Sequence, residues 1–363
     1  MRVALLQDHL RVGGTERQSV QIARLLGEAG HQVRLLVFRP GGALDAVARA
    51  AGVDLVHLQP FDLGTDLLAP GLVSAVRRFS PEVVLCMGRV ANAYAGWLAS
   101  RLPDCAVVGS VRTGKALPWS NRWSFRRTRA VLVNSAWWRA RLVREGVPDD
   151  RVFLVENGLA VDLDAALDAG GAVRDALRDE LGAREGCVVA LVVAGLRAGK
   201  RHQWLLRAMA GVDARREWQL WVVGDGPCLA ACRALAERLG IGERVRFLGH
   251  QVEPARFYGA ADIAVSASVE DAMPNFLVEA QWAARPAVAC RVRGVSEVVV
   301  DGATGFTVEP DDVGGFRAAV RELVDDPALR ARLGDAARVS ARERFEPRRQ
   351  AARLAERLAA LRG

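Results

Sequence analysis

The sequence predicts an α/β protein built from two doubly wound, Rossmann-like domains. Three observations predict this. Short apolar runs rich in Val, Leu and Ala alternate with stretches of helical periodicity along nearly the whole chain, which implies parallel sheets flanked by helices. At 363 residues the chain is long for one ordinary domain and comfortable for two, and a hydrophobic fraction of 51% is ample for both cores. Between the two sets of alternating elements lies a polar, Ala/Asp/Arg-rich stretch, residues 161–186, which reads as a linker with a lead-in helix. The expected division is residues 1–160 for the first domain and 161–345 for the second. A helical tail over residues 346–363 is expected to pack back on the first domain.

Val3-Ala4-Leu5-Leu6 is a short apolar strand, followed by Gln7-Asp8-His9 and a loop that contains Gly13-Gly14-Thr15-Glu16. Apolar residues at Val20, Ala23, Leu26 and Ala29 then give helical spacing over residues 17–30. Strand, glycine-rich loop and helix form a phosphate-binding arrangement, yet no G-x-G-x-x-G is present, and a plain tight turn accounts for the glycines equally well. Further strands are expected at residues 33–38, 53–58, 83–87 and 106–111, with helices near 45–51, 69–79 and 93–101. Val131-Leu132-Val133 is a strand leading to Ser135 as N-cap of a helix through Glu145. Residues 152–155 form the last strand of this half, and Asn157-Gly158 marks its end.

In the second half, residues 188–193 start a new sheet, followed by Gly195-Leu196-Arg197-Ala198-Gly199-Lys200. This loop is one residue short of a P-loop, and Arg201 stands where that motif needs Ser or Thr, so a P-loop ATPase is excluded. Residues 219–223 form a strand ending in Gly224-Asp225-Gly226-Pro227, with a helix over 229–239. Residues 244–248 lead to Gly249-His250-Gln251, where His250 reads either as a surface loop residue or as a contact to a base. Ile263-Ala264-Val265 is a buried parallel strand, and residues 276–284 are helical. Beyond Phe306, amphipathic helices are expected over 311–324 and 327–344, with Phe345 and Leu354 anchoring a final one.

The stretch from Glu270 to Ala280 draws the chemistry together. Glu270, Asp271 and the Met273-Pro274-Asn275 loop fall at the carboxyl end of a strand, with Phe276 at a helix start, the position where open α/β sheets bind ligands. Backbone N–H groups at a helix start favour phosphate. Carboxylates beside a phosphate site call for a hydroxyl-bearing neighbour, since they accept hydrogen bonds from a sugar or ribose. The pattern suggests a sugar nucleotide. The segment from Ser268 to Pro286, continuing through Ala287-Val288-Ala289 and Gly294-Val295-Ser296-Glu297 to Asp301-Gly302-Ala303-Thr304-Gly305-Phe306, resembles the signature of the retaining glycosyltransferases of family four, which have the GT-B fold.

That resemblance implies two Rossmann-like domains facing across a cleft, and transfer of a sugar from a nucleoside diphosphate sugar to a hydroxyl with retention. A UDP-sugar is favoured over a GDP-sugar, and no metal or other cofactor is required. The family signature has two glutamates with seven residues between them, and this chain departs from it mildly at the first. Counting back from Glu279, the first falls on Asp271, with Glu270 beside it, and either could face the donor sugar. Glu279 is expected to hold the ribose hydroxyls. Lys200 matches the lysine of the family's phosphate clamp. Gly195 stands at the usual arginine position, and Arg197 is the expected substitute. The resemblance also gives Gly13 and Gly14 a place against the diphosphate, and puts Gly224, Gly226 and His250 around the base. Where many relatives have a histidine near the donor sugar, this chain has Arg112. It can stabilise charge but cannot act as a base, or it can simply pair with a carboxylate.

The net charge of +8 is concentrated in the first domain. Residues 1–160 hold 21 Lys and Arg against 13 Asp and Glu, whereas residues 161–363 hold 29 of each. Ten of the basic residues lie between Arg101 and Arg144, against the acid Asp104 within the same stretch until Glu145. Such a patch implies an anionic partner. Lys115, Arg122, Arg126 and Arg127 are the expected acceptor-side residues, for an anionic or lipid-linked acceptor or an anionic membrane surface. Trp119, Trp123, Phe125, Trp137 and Trp138 among these arginines read as a membrane-surface face, as platforms for nucleotides, or as core aromatics; nucleic acid is disfavoured. Only Lys115 and Lys200 among the 50 basic residues are lysines.

The six cysteines are scattered, and Cys228 and Cys232 lack histidine partners, so buried thiols are expected rather than a zinc site. The chain enters its first strand without the shape of a signal peptide, which places it in the cytosol by default. A GT-B epimerase or phosphorylase is the rival activity, and an inactive basic adaptor is the rival outside catalysis.

Overall fold

The computed structural model describes residues 1–11, 13–159, 162–168, 170–269 and 271–362. The chain divides into two compact units. One contains Met1–Ala160 together with Phe345–Gly363, and the other contains Val161–Arg344.

The first unit is a seven-stranded parallel sheet made of β1 (Arg2–His9), β2 (Gln32–Arg39), β3 (Asp54–His57), β4 (Val83–Cys86), β5 (Ala106–Val111), β6 (Ala130–Val133) and β7 (Val152–Leu154). Its strand order is β3-β2-β1-β4-β5-β6-β7. β1 is in register with β2 through Val3–Val33 and with β4 through Val3–Val83. The central strands are covered on both faces, as parallel strands must be, and every residue of β4 and β6 is buried. Leu354 and Leu358 of the Pro347–Ala359 helix pack with Leu5, Leu26 and Leu35, so the end of the chain completes this core. Each such leucine contributes about 1.5–3 kcal/mol by leaving water.

The second unit is a six-stranded parallel sheet of β8 (Val188–Val193), β9 (Trp218–Val223), β10 (Val245–Phe247), β11 (Ile263–Ser266), β12 (Ala287–Cys290) and β13 (Gly305–Val308). Its order is β10-β9-β8-β11-β12-β13. Two helices, Asp164–Asp168 and Gly170–Glu180, precede it. Arg174 and Arg178 on the latter both pair with Asp262, at 2.7 and 3.0 Å. Burial opposes ionisation of that carboxyl, but the Val189 N–H and the two guanidinium groups hold it below its ordinary range.

Most elements lie where the periodicity puts them, with a few differences. β1 runs on through Gln7, Asp8 and His9, which the sequence suggested were loop. β13, the His202–Ala210 helix and the seven-residue Trp119–Phe125 helix were not foreseen. Ser135 caps its helix as expected, accepting from the Trp138 N–H. Four of the six cysteines are buried and none forms a disulfide. Among the described residues no helix is long and apolar enough to cross a membrane.

Candidate active site

In each sheet the strand order reverses once, between β1 and β4 in the first and between β8 and β11 in the second. The crevice beyond the carboxyl ends of such a pair is where doubly wound folds bind ligands.

In the second unit, the β8 and β11 loops are stitched together there. The Val269 N–H donates to the Gly199 carbonyl at 3.1 Å, and the Ser268 hydroxyl reaches the same oxygen at 3.4 Å. This brings Lys200 to Asp271, with Nζ 2.6 Å from Oδ1, as a half-buried ion pair. Glu270 lies outside the described residues. Arg201, in a left-handed conformation, ends the short turn Ala198–Lys200 and starts the next helix. Arg197 is exposed and folds its guanidinium back over Gly195, with Nε 3.3 Å from where a Cβ on that glycine would stand. His202, two residues after Lys200, was not singled out by sequence. It is buried, and neither ring nitrogen has a hydrogen-bond partner among the described residues. Burial, with Lys200 nearby, pushes its pKa down to about 4.

The loop after β11 enters the Asn275–Trp282 helix through Pro274. Met273 and Pro274 are buried, whereas Asn275 and Phe276 are half-exposed at the helix start. Glu279, one turn on, is on the same helix face as Asn275 and only 7% exposed. The Tyr258 hydroxyl donates to its Oε2.

Gly224 and Gly226 are held by packing. Their φ angles of +143° and +157° are ones L-residues rarely adopt. A Cβ on either would also strike the carbonyl of Ala194 (2.1 Å) or Leu196 (2.6 Å). These glycines therefore allow the β9 loop to press on the β8 loop behind Lys200. His250 is exposed beside Gly249.

The switch point of the first unit is different. The Arg89–Arg101 helix starts there, and its Val90 and Ala91 N–H groups donate to the Asp8 carboxylate at 2.9 and 2.8 Å. Gly88 makes room for this, because a Cβ there would stand 2.1 Å from Asp8 Oδ1. Burial raises the pKa of Asp8, and the two N–H bonds only partly offset it. Gly13 precedes the Gly14–Glu28 helix, and the Glu16 carboxylate folds back over it, 3.4 Å from His9 Nδ1. Arg112 pairs with the side-chain oxygen of Asn157, and with no carboxylate among the described residues. Its buried Nε has no partner among the described residues, and burial pushes its pKa down to about 10. It lines a small pocket with Gln18, Glu156, Pro347 and Gln350, all of the first unit.

The basic and aromatic stretch divides in two. Phe125 and Trp138 are fully buried core residues, the indole N–H of Trp138 donating to the Thr113 carbonyl at 2.6 Å, so neither belongs to a surface face. Arg122 pairs with Glu145 at 3.4 Å, and Arg126 donates to the Glu145 carbonyl at 3.1 Å. Both are engaged in holding the Trp119–Phe125 helix in place. Trp119 is 77% exposed, Lys115 is exposed, and Arg127 lies 3.9 Å from the centre of the Trp123 ring.

Two doubly wound units of these strand orders, with a cation and carboxylates gathered at one switch point, define a protein of the GT-B type. The family model described as glycosyl transferases group 1 matches residues 187–326, and that of glycosyltransferase family 4 matches residues 12–163. The chain belongs to this family of GT-B glycosyltransferases. It is 26% identical over 325 residues to the lipopolysaccharide core biosynthesis glycosyltransferase LpsE of Rhizobium meliloti, covering 89% of each chain. To LpsD of the same organism it is 37% identical over 159 residues, which are 43% of this chain and 46% of LpsD, so the match spans less than half of that relative. In three dimensions it is similar to HepE of Anabaena, with a TM-score of 0.85, 20% identity and coverage of 99% of this chain and 100% of that one.

Proposed function

We propose that the protein transfers a hexosyl group from a nucleoside diphosphate sugar to a hydroxyl acceptor, with retention of anomeric configuration and with fixed cations in place of a metal. The observation that carries this reading is the Lys200–Asp271 pair at the second switch point, with Glu279 one turn into the helix that follows. As the diphosphate leaves, negative charge grows on its oxygens and positive charge on the anomeric carbon. Lys200, Arg197 and the N–H groups at the start of the Asn275–Trp282 helix are aimed at the former. Asp271, in contact with Lys200, is suited to a donor-sugar hydroxyl where sugar and diphosphate join. Glu279 is suited to the ribose. Arg112 takes no direct part in this reading, since it is tied to Asn157 within its own unit.

A UDP-sugar is the first donor to test, in line with the UDP and UDP-glucose complexes of HepE. The acceptor is proposed to be anionic or lipid-linked, and to dock on the face that presents Lys115, Trp119 and Arg127, against an anionic membrane surface. The test is radiolabelled sugar transfer from UDP-glucose and other nucleotide sugars, with product anomers read by NMR. An inverted product, or release of free sugar with no acceptor dependence, contradicts the reading. For the acceptor face, Lys115→Gln/Trp119→Ser/Arg127→Gln should raise the acceptor KM, spare the donor KM and reduce sedimentation with phosphatidylglycerol vesicles. Salt should weaken that sedimentation in the wild type, because exposed charges are screened beyond about 10 Å at 0.1 M.

A further inference from the structure

Tyr258 stands outside every motif in the sequence, on the short Ala255–Ala260 helix, yet its side chain is completely buried. Its hydroxyl donates to Glu279 Oε2, and its ring lies 6.1 Å from that of Phe276, tilted by 37°. The backbone behind it is clamped. Arg285 donates to the carbonyls of Tyr258 and Gly259, both at 3.0 Å, and Arg174 donates to those of Gly259, Ala260 and Ala261 at 3.1, 3.1 and 3.2 Å. A tyrosine ring fixed by its backbone and its packing holds its hydroxyl in one place. A buried carboxylate that accepts from such a hydroxyl is fixed both in rotamer and in charge.

We infer that Tyr258 is a positioning residue that aims the Glu279 carboxylate at the vicinal hydroxyls of the donor's ribose, and so makes the protein select ribonucleotides over 2′-deoxyribonucleotides. This rests on the reading of Glu279 as the ribose ligand. Two hydroxyls on adjacent carbons present two donors in a fixed geometry, and a carboxylate meets both only in one orientation. A carboxylate free to rotate binds a single hydroxyl nearly as well, so the orienting bond affects discrimination more than the strength of a single contact. Removing only the phenolic oxygen leaves the ring packing against Phe276 intact.

The test measures Kd by calorimetry for UDP and 2′-deoxy-UDP, and for GDP and 2′-deoxy-GDP, with wild type, Tyr258→Phe, Glu279→Gln and the double variant. The wild type is expected to favour the ribonucleotide by about tenfold or more, the scale for a hydrogen bond to a charged group. Tyr258→Phe should shrink that ratio at least threefold, raise the donor KM and leave kcat nearly unchanged. In the Glu279→Gln background it should add nothing, because the two residues act through one another. A Tyr258→Phe protein that melts lower but keeps the wild-type ratio, while Glu279→Gln loses it, overturns the inference and leaves the ribose assignment standing. Glu279→Gln binding both nucleotides as the wild type does overturns the ribose assignment and the inference with it.

Discussion

At the switch point of the first sheet, the helix that follows β4 starts against the Asp8 carboxylate; at that of the second, the helix that follows β11 starts four residues after Asp271, the partner of Lys200. Both places offer the same backbone feature, a helix N-terminus at the carboxyl edge of a parallel sheet, and such an end attracts anions. In the first unit the chain supplies the anion itself, from the end of β1. In the second, the loop after the equivalent strand β8 supplies a lysine. One topology thus carries two arrangements, a carboxylate from β1 at the first switch point and a lysine–carboxylate pair from two loops at the second.

The comparison breaks most sharply at Lys200. Lys200→Ala should lower turnover by roughly 100-fold or more, the scale for losing one stabiliser of developing charge, with the thermal melt unchanged within a few degrees. Activity within about threefold of wild type would remove the second switch point from the chemistry. The next effect concerns division of labour inside that site. Glu279→Ala should weaken binding of the free nucleoside diphosphate by about 1.5–3 kcal/mol. Asp271→Asn should act on turnover with the sugar-bearing donor and spare the bare nucleotide. Equal loss of nucleotide affinity in both variants, measured by calorimetry, contradicts that separation.

At the first switch point the expected effects are on stability alone. Asp8→Ala removes the acceptor for two helix N–H groups and should destabilise the protein by about 1–2 kcal/mol in urea unfolding. Its nucleotide affinity should equal that of the wild type. An Asp8 variant with weakened nucleotide binding would mean that the first switch point takes part in binding.

A smaller effect sharpens the contrast through pH. Burial lowers the pKa of His202 to about 4 from the ordinary 6.5, so its contribution is present above pH 6.5 and is lost as pH falls toward 4. Asp8 has the opposite sign. Its carboxyl is raised from 3.8, so its contribution is full below that value and is lost as pH rises through the folded pKa. Mild acidification should therefore weaken the second unit at His202; in the first unit Asp8 resists the change, while His31, whose pKa burial also lowers, shares it. The change in the second unit between pH 7 and 6 should be less than about 1 kcal/mol and absent in His202→Phe. Amide exchange in the second unit reads it directly, and a loosening there that persists unchanged in His202→Phe contradicts the assignment.

Most strands of both sheets were legible because buried parallel strands are continuous apolar runs. The loop holding Lys200 and that holding Asp271 were legible because each follows such a run. What the sequence concealed has physical reasons. Gln7 and Asp8 look like loop residues, yet they are buried. Partners from elsewhere satisfy them: Ser19 donates to Gln7 at 2.9 Å, and the helix start after β4 serves Asp8. Trp119 and Phe125, at the two ends of one seven-residue helix, went to opposite fates, the first exposed and the second buried, because so short a helix has too few positions to declare which face is inward. The Tyr258–Glu279 bond joins residues 21 apart on separate helices, and no periodicity announces it. β13 is four residues beginning with glycine, too short to read as a strand.

The most direct measurement is a crystal structure of the protein with UDP or GDP bound. A diphosphate oxygen is expected within about 2.7–3.2 Å of Lys200 Nζ, with further oxygens on the N–H groups at the start of the Asn275–Trp282 helix, and the Arg89–Arg101 helix start still occupied by Asp8. A diphosphate at that first-unit helix start with Asp8 displaced, or one anywhere that leaves Lys200 untouched on Asp271, would contradict it.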